Sequence, residues 1–90
     1  MAQVEIYTQP WCPYCLRAVS LLKSKKVDFK QISAPKGTPE REEAIRRSGG
    51  SKTVPQLFVD GEHLGGCDDL LALDRSGQLD AKLGLTEKRA

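Results

Sequence analysis

The sequence predicts a single α/β domain in which a four-stranded mixed sheet is flanked by helices, in the order β-α-β-α-β-β-α. A chain of 90 residues with 39% hydrophobic composition can bury one core and leaves no room for a second domain. Short segments in which apolar and polar residues alternate are interspersed with segments in which apolar residues recur at helical spacing. The sequence has no internal repeat. We therefore treat residues 1–90 as one domain, with residues 86–90 as a flexible tail.

A β-α-β unit is predicted over the first third of the chain. Residues 4–8 alternate apolar and polar side chains and end before a proline, as a strand does. Apolar residues then recur at helical spacing over 13–25, with Cys12 at the N-cap and Pro13 at the first helical position, where a missing N–H costs nothing. A second strand follows over 27–32. This order predicts a parallel strand pair joined by a right-handed crossover.

A second helix and a hairpin are predicted next. Thr38, a proline and early acidic residues start the helix, and basic residues and a glycine end it within 38–49. Strands over 56–59 and 62–65 flank Asp60-Gly61, a dipeptide that accepts the positive φ angles of a tight turn. The second half of the sheet should therefore be antiparallel.

The last elements are a third helix and a weak final one. Asp68 and Asp69 open the third helix, because acidic side chains complement the positive end of the helix dipole. Leucines at helical spacing continue it to Leu73. Gly77 then precedes a last turn or short helix around residues 79–83.

Charge and cysteine content narrow the function. A formal net charge of +2 is too small to indicate nucleic acid as the main partner. Residues 1–10 lack the continuous apolar stretch of a signal peptide or membrane span. Three cysteines, two of them close together, fit redox or metal chemistry in a reducing compartment better than a secreted disulfide framework. We expect a cytoplasmic protein with no nucleic-acid or membrane partner.

The Cys-Pro-Tyr-Cys segment at 12–15 carries the chemistry. Its two sulfurs lie one helical turn apart, close enough for a disulfide when the first residue sits at the helix N-terminus. Free N–H groups and the helix dipole stabilise a thiolate at Cys12, and no acidic residue lies within 6–27. We expect an exposed Cys12 to attack and a partly covered Cys15 to resolve the mixed disulfide.

Zinc binding is the alternative use of these cysteines. Cys12, Cys15, Cys67 and His63 are four ligands of acceptable type. Zinc sites more often pair one two-residue-spaced cysteine motif with another, and a proline inside the pair suits a helix start better than a metal knuckle. We therefore favour redox chemistry and expect no metal.

Four separated features of the sequence are the Cys-Pro-Tyr-Cys centre, Thr53-Val54-Pro55, the Gly65-Gly66 pair and Cys67-Asp68-Asp69. In their order and spacing they resemble the glutaredoxin family, specifically its small bacterial dithiol members, over residues 1–85. The resemblance implies a thioredoxin-like fold.

The resemblance also implies a site for glutathione, as co-substrate, beside Cys12. Glutathione carries two carboxylates and one ammonium group, so its site should offer basic groups or helix N-termini and one acid. The family pattern implies a cis peptide between Val54 and Pro55 and an ion pair between Asp68 and the ammonium group. Without the resemblance, the proline would simply start an edge strand and Asp68 would only complement the helix dipole. The implied binding residues are Tyr14, Thr53, Val54, Pro55, Gly66, Cys67 and Asp68.

One position departs from the family pattern. Many relatives carry a lysine shortly before the first cysteine, where this chain has Gln9. Lys52, Arg41 or Arg46 would have to supply the missing charge to the glutathione site.

Three further residues have ordinary explanations. We expect Cys67 to be a small buried residue at the helix start rather than a third redox thiol. His63 should be a surface residue, and Trp11 should cover the edge of the core.

The implied function is glutathione-dependent thiol-disulfide exchange by a monomer. Cys12 alone would reduce glutathionylated proteins, and Cys12 with Cys15 would reduce protein disulfides such as those of ribonucleotide reductase-like enzymes. One alternative is a thioredoxin-type disulfide reductase recharged by a flavoprotein. The other is a non-enzymatic scaffold for zinc or for a glutathione-ligated iron-sulfur cluster.

Overall fold

The computed structural model describes residues 3–84, which form four strands and four helices. The predicted tail at residues 86–90 lies outside the described residues. In chain order the elements are β1 (Val4–Thr8), α1 (Pro13–Ser24), β2 (Lys30–Ser33), α2 (Pro39–Arg47), β3 (Gln56–Val59), β4 (Glu62–Gly65), α3 (Cys67–Arg75) and α4 (Gln78–Lys82).

The strands form one mixed sheet in the order β2-β1-β3-β4. β1 pairs in parallel with β2, with Glu5 opposite Lys30, and antiparallel with β3, with Ile6 opposite Leu57. β3 and β4 form the predicted antiparallel hairpin, in which Asp60 has a φ of 52° and the following glycine a φ of 83°. The predicted fold class, with its additional short last helix, is therefore confirmed.

Helices cover both faces of the sheet. On one face, Ile6 and Leu57 pack with Leu22 of α1 and Leu70 of α3, and all four side chains are fully buried. On the opposite face, α2 closes a smaller cluster built around Phe58. Because β1 is central and covered on both faces, its side chains are largely buried, whereas the edge strand β2 is mostly exposed.

The second strand starts later than predicted. Val27 and Phe29 resemble strand residues in their spacing, yet pairing with β1 begins only at Lys30. Lys26 adopts a positive φ of 58°, so the chain leaves α1 through a turn before it reaches the sheet. Val27 and Phe29 instead pack against the core from this connection.

No helix within residues 3–84 is long and apolar enough to cross a membrane.

Leu22→Ala should lower the free energy of unfolding by about 2–5 kcal/mol, because it removes a fully buried side chain and leaves a cavity between α1 and the sheet. Leu16→Ala is the matched control on the same helix. Leu16 is 69% exposed, so its truncation should change stability by no more than about 0.5 kcal/mol. Urea unfolding measures both, and equal losses would contradict this assignment of the buried face.

Candidate active site

The first turn of α1 holds the two cysteines of the Cys-Pro-Tyr-Cys segment. Cys12 is the N-cap residue with extended backbone angles, and Pro13 takes the first helical position, as predicted. The Cys12 sulfur accepts a hydrogen bond from the Cys15 backbone N–H at 3.2 Å. It also lies 4.0 Å from the Val54 carbonyl oxygen, toward which its thiol can donate. One sulfur therefore sits at the positive end of the helix dipole and beside the Val54 segment.

Both cysteines are buried, which differs from the predicted exposed Cys12. Cys12 is 8% exposed and Cys15 4% exposed. The difference arises because the capping sulfur turns back over the first turn of α1 and lies against Val54, rather than pointing into solvent. The two sulfurs therefore differ in their positions in the helix more than in their exposure.

Burial raises the pKa of the thiols of Cys15 and Cys67. Desolvation, reinforced by a hydrogen bond with Cys12, raises the pKa of the Cys15 thiol to about 12. Desolvation raises the pKa of Cys67 as well, with a smaller opposing effect of the Arg17 charge. Cys67 is the first residue of α3 and is buried, as predicted, although Gly66 is the N-cap.

A cleft of about 350 Å³ borders the Cys-Pro-Tyr-Cys segment, between the loop before β3 and the start of α3. This volume falls in the usual range for small-ligand sites, about 300–1,000 Å³. The lining includes every residue that the family resemblance implied by its motifs, namely Tyr14, Thr53, Val54, Pro55, Gly66, Cys67 and Asp68. The Val54-Pro55 peptide is cis, as expected from the resemblance.

Five further lining residues were not among the implied binding residues: Ser51, Gln56, His63, Gly65 and Asp69. Gln56 is 2% exposed and its amide donates to Ser51 Oγ at 2.9 Å and to the Thr53 carbonyl at 3.0 Å. His63, exposed as predicted, lies 2.5 Å from the Gln56 side-chain oxygen through its Nε2. The sequence signal that could have identified Gln56 is its polar side chain at the first position of an otherwise apolar strand.

The start of α3 forms one wall of the cleft. Asp69 caps the helix by accepting the Gly66 backbone N–H at 3.0 Å. Gly65 has a φ of 115°, and a Cβ there would meet the Asp69 carboxylate at 2.3 Å, so glycine is required at this approach. Asp68 is exposed, one residue into the helix, and remains available to a ligand in the cleft.

The basic residues considered as replacements for the missing lysine have different positions. Arg41 is buried, and its guanidinium donates to the side-chain oxygen of Gln9 at 2.8 Å. Gln9 is the residue that stands where many relatives have the lysine. Lys52 is exposed, and Arg46 is exposed and paired with Glu43. None of the three basic residues lines the cleft, so a direct contact of Arg41 or Lys52 with glutathione stays a prediction.

A second cleft, of about 710 Å³, borders both cysteines on the other side of α1 and reaches Gln31 and Ser33 of β2. Trp11 lies at its margin with a positive φ of 61° and is 98% exposed. The expectation that Trp11 covers the edge of the core is therefore wrong, because its backbone conformation turns the indole into solvent.

Across residues 3–84, no three His, Cys, Asp or Glu side chains converge to hold a metal ion. The zinc arrangement of Cys12, Cys15, Cys67 and His63 is therefore not formed among these residues.

Cys15 should remain protonated through pH 9, where an unperturbed thiol is half ionised. A Cys12→Ser, Cys67→Ser protein keeps the burial of Cys15, which is the main cause of the raised pKa, so its thiolate absorbance should not rise until above this pH. Denatured protein is the matched control, because unfolding exposes Cys15 and restores ordinary ionisation. Thiolate absorbance that rises through pH 9 in the folded protein would contradict the role of burial.

The sequence and the fold are similar to those of known glutaredoxins. A protein-family model described as Glutaredoxin matches residues 4–64. Glutaredoxin 3 of Escherichia coli strain K12 is 55% identical over 83 residues, which cover 92% of this chain and 99% of the relative. The solution structure of glutaredoxin from Brucella melitensis superimposes with a TM-score of 0.80 and 49% identity, covering 94% of this chain and 91% of that one. A buckwheat glutaredoxin-glutathione complex, with a TM-score of 0.80, 24% identity and coverage of 92% and 77%, shares the fold.

Proposed function

Because the chain belongs to the glutaredoxin family and is therefore a thiol-disulfide oxidoreductase, we propose that glutathione is its reductant. Its proposed substrates are protein-glutathione mixed disulfides and protein disulfides, including those of ribonucleotide reductase-like enzymes. The observation that carries the proposal is that the Val54 residue lining the cleft has its carbonyl oxygen only 4.0 Å from the Cys12 sulfur. A cysteinyl residue paired with the Val54 backbone would bring its own sulfur next to Cys12.

The ends of the cleft suit the charged ends of glutathione. The N-terminus of α3 at Gly66 offers a positive dipole end for the γ-glutamyl carboxylate. Asp68 offers a carboxylate to the neighbouring ammonium group. Tyr14, which is 58% exposed, flanks the cleft next to the reactive segment. These groups select a zwitterionic peptide over an apolar ligand.

In the monothiol route, the Cys12 thiolate attacks the glutathione sulfur of a mixed disulfide. A Cys12-glutathione disulfide forms, and the protein thiolate leaves and takes up a proton. A second glutathione thiolate then attacks the glutathione sulfur of this intermediate, which regenerates Cys12 and yields glutathione disulfide. In both steps the N-cap position keeps the Cys12 sulfur at the positive end of the helix dipole, next to the Cys15 N–H.

In the dithiol route, Cys12 attacks a protein disulfide, and Cys15 displaces the protein thiolate from the resulting mixed disulfide. The product is a Cys12-Cys15 disulfide, which two glutathione molecules reduce in turn. The two residues lie one helical turn apart, with the Cys15 N–H already bonded to the Cys12 sulfur. This spacing suits disulfide formation without rearrangement of the helix.

We also place this activity in the cytoplasm. A glutathione-dependent reductase requires a reduced glutathione pool, and the cytoplasm maintains one.

The direct test is turnover of a glutathionylated peptide with glutathione, NADPH and glutathione reductase. Glutathione-dependent turnover is expected. Turnover that instead required a flavoprotein thioredoxin reductase, or stoichiometric metal with no turnover, would contradict the proposal.

Substitution of the two cysteines should separate the two routes. Cys12→Ser should abolish all turnover, because it removes the attacking sulfur, whereas Cys15→Ser should keep deglutathionylation within about threefold of the parent and lose protein-disulfide reduction. Assays with a glutathionylated peptide and with insulin measure the two routes. Equal losses in both variants would refute this division of labour.

Asp68→Asn should raise the KM for a glutathionylated peptide about tenfold with little change in kcat, because a charge-assisted contact with the ammonium group is lost. Asp28→Asn, an exposed change outside the cleft, is the control and should leave KM unchanged. An unaltered KM in the Asp68 variant would place the ammonium group elsewhere.

A further inference from the structure

Gln56 is a polar residue held inside the protein, next to the cleft proposed for glutathione. It is the first residue of β3, lines the cleft and is only 2% exposed. Its side-chain nitrogen donates to Ser51 Oγ at 2.9 Å, to the Thr53 carbonyl at 3.0 Å and to Thr53 Oγ1 at 3.2 Å. One buried amide therefore binds the loop before Val54 at three points.

His63 of β4 fixes the direction in which the Gln56 amide faces. A carbonyl oxygen can only accept, so the amide nitrogen must face the Thr53 carbonyl and the amide oxygen must face the other way. That oxygen lies 2.5 Å from His63 Nε2. Nε2 must therefore carry a proton and donate it, whichever charge the ring has. The ring packs against Phe58, with the ring centroids 5.1 Å apart, which holds this donor in place.

The Thr53 carbonyl determines where the next backbone N–H points. The peptide bond between Thr53 and Val54 is trans. In a trans peptide the C=O and the N–H point in opposite directions across one rigid plane. Because the Thr53 carbonyl is bonded to the buried Gln56 amide, the Val54 N–H points away from Gln56. Within residues 3–84 no acceptor bonds this N–H, so it is available to a ligand in the cleft that Val54 lines.

We propose that Gln56 is a positioning residue of the glutathione site, which orients the Thr53-Val54 peptide so that its N–H donates to the cysteinyl residue of the ligand, and that His63 acts through Gln56. This inference rests on the proposed function, in which that cysteinyl residue pairs with the Val54 backbone. The Gln56 side chain serves the site without touching glutathione, because its amide is already bonded to the protein.

The other end of the loop is held independently by α2. Ser48, the C-cap residue of α2, accepts the Ser51 N–H at 3.1 Å through its hydroxyl, which also donates to the Ser51 carbonyl at 3.2 Å. Removal of the Gln56 amide should therefore free the Thr53-Val54 peptide more than the start of the loop. A peptide that is ordered before the ligand arrives loses less conformational entropy on binding, which raises affinity.

The first experiment measures the loop by NMR relaxation in the absence of glutathione. Gln56→Met keeps the length of the side chain but removes its donors, so the order parameter of the Val54 amide should fall from about 0.85 to below about 0.6. The Ser51 amide should stay ordered, because Ser48 still holds it. Gln78→Met, a change of an exposed glutamine of α4 outside the cleft, is the matched control and should alter neither amide. An unchanged Val54 amide in Gln56→Met would overturn the proposal.

The second experiment measures turnover of the glutathionylated peptide. Gln56→Met should raise the KM about tenfold, because the Val54 N–H is no longer oriented for its hydrogen bond to the ligand. The kcat should stay within about twofold, because Gln56 does not touch the reacting sulfurs. Absence of turnover by the wild-type protein would refute the proposed function, whereas the NMR measurement would still decide the role of Gln56. Wild-type turnover with an unchanged KM in Gln56→Met, or with a loss confined to kcat, would overturn the inference.

His63→Phe tests whether His63 acts through Gln56. It keeps an aromatic ring against Phe58 but removes the donor to the Gln56 oxygen, so the KM should rise about threefold. The double variant with Gln56→Met should have the KM of Gln56→Met alone, because the two residues serve one contact. Increases in KM that multiply in the double variant would contradict this coupling. His63 is exposed, so His63→Phe keeps the proposal testable if Gln56→Met does not fold, and an unchanged KM in it would then overturn the proposal.

Discussion

The hydrogen bond from the Cys15 N–H to the Cys12 sulfur is the interaction on which the site depends. It makes a thiol the cap of α1, in the place that Ser, Thr, Asp or Asn usually takes, so the reactive atom is itself part of the helix start. Pro13 supports this arrangement because it needs no partner for a backbone N–H. Once Cys12 is the cap, helical geometry places Cys15 on the buried side of the first turn, against the core.

The rest of the fold brings a second helix start to the same place. The β3-β4 hairpin returns the chain so that α3, with Gly66 as its N-cap, begins at Cys67 across the cleft from Tyr14. α1 and α3 share one face of the sheet, where Leu22 and Leu70 pack in a common core. The free energy of that packing therefore also holds two positive dipole ends beside one cleft, an arrangement suited to anions such as a thiolate and a carboxylate.

Local patterns predicted most of this architecture, and long-range contacts account for the differences. The hairpin over residues 56–65 and the start of α2 depend on residues adjacent in sequence. The spacing of apolar residues and the turn and capping residues are therefore sufficient to predict both. The predicted start of β2 is too early, because the alternation of apolar and polar residues does not reveal where pairing with β1 begins. The burial of Cys12 depends on Val54, which is 42 residues away, and no local pattern reports that contact. The cleft-lining role of Gln56 likewise arises from its contacts with a loop and a neighbouring strand.

The two inward-facing arginines of α2 show how the fold treats charge at the two ends of β1. Arg47 donates to the Glu5 carboxylate at 3.0 Å and to the Tyr7 hydroxyl at 2.9 Å, so its charge is neutralised by an acid at a half-buried site. Within residues 3–84, Arg41, which is more deeply buried, donates to three neutral oxygens, those of the Gln9 side chain and of the Ala34 and Lys52 carbonyls. The positive charge of Arg41 lowers the pKa of the Cys15 thiol, in opposition to the larger effect of burial. Of the two arginines, Arg47 is thus paired with a carboxylate, whereas Arg41 is bound by neutral oxygens at the end of β1 that lies next to the cysteines.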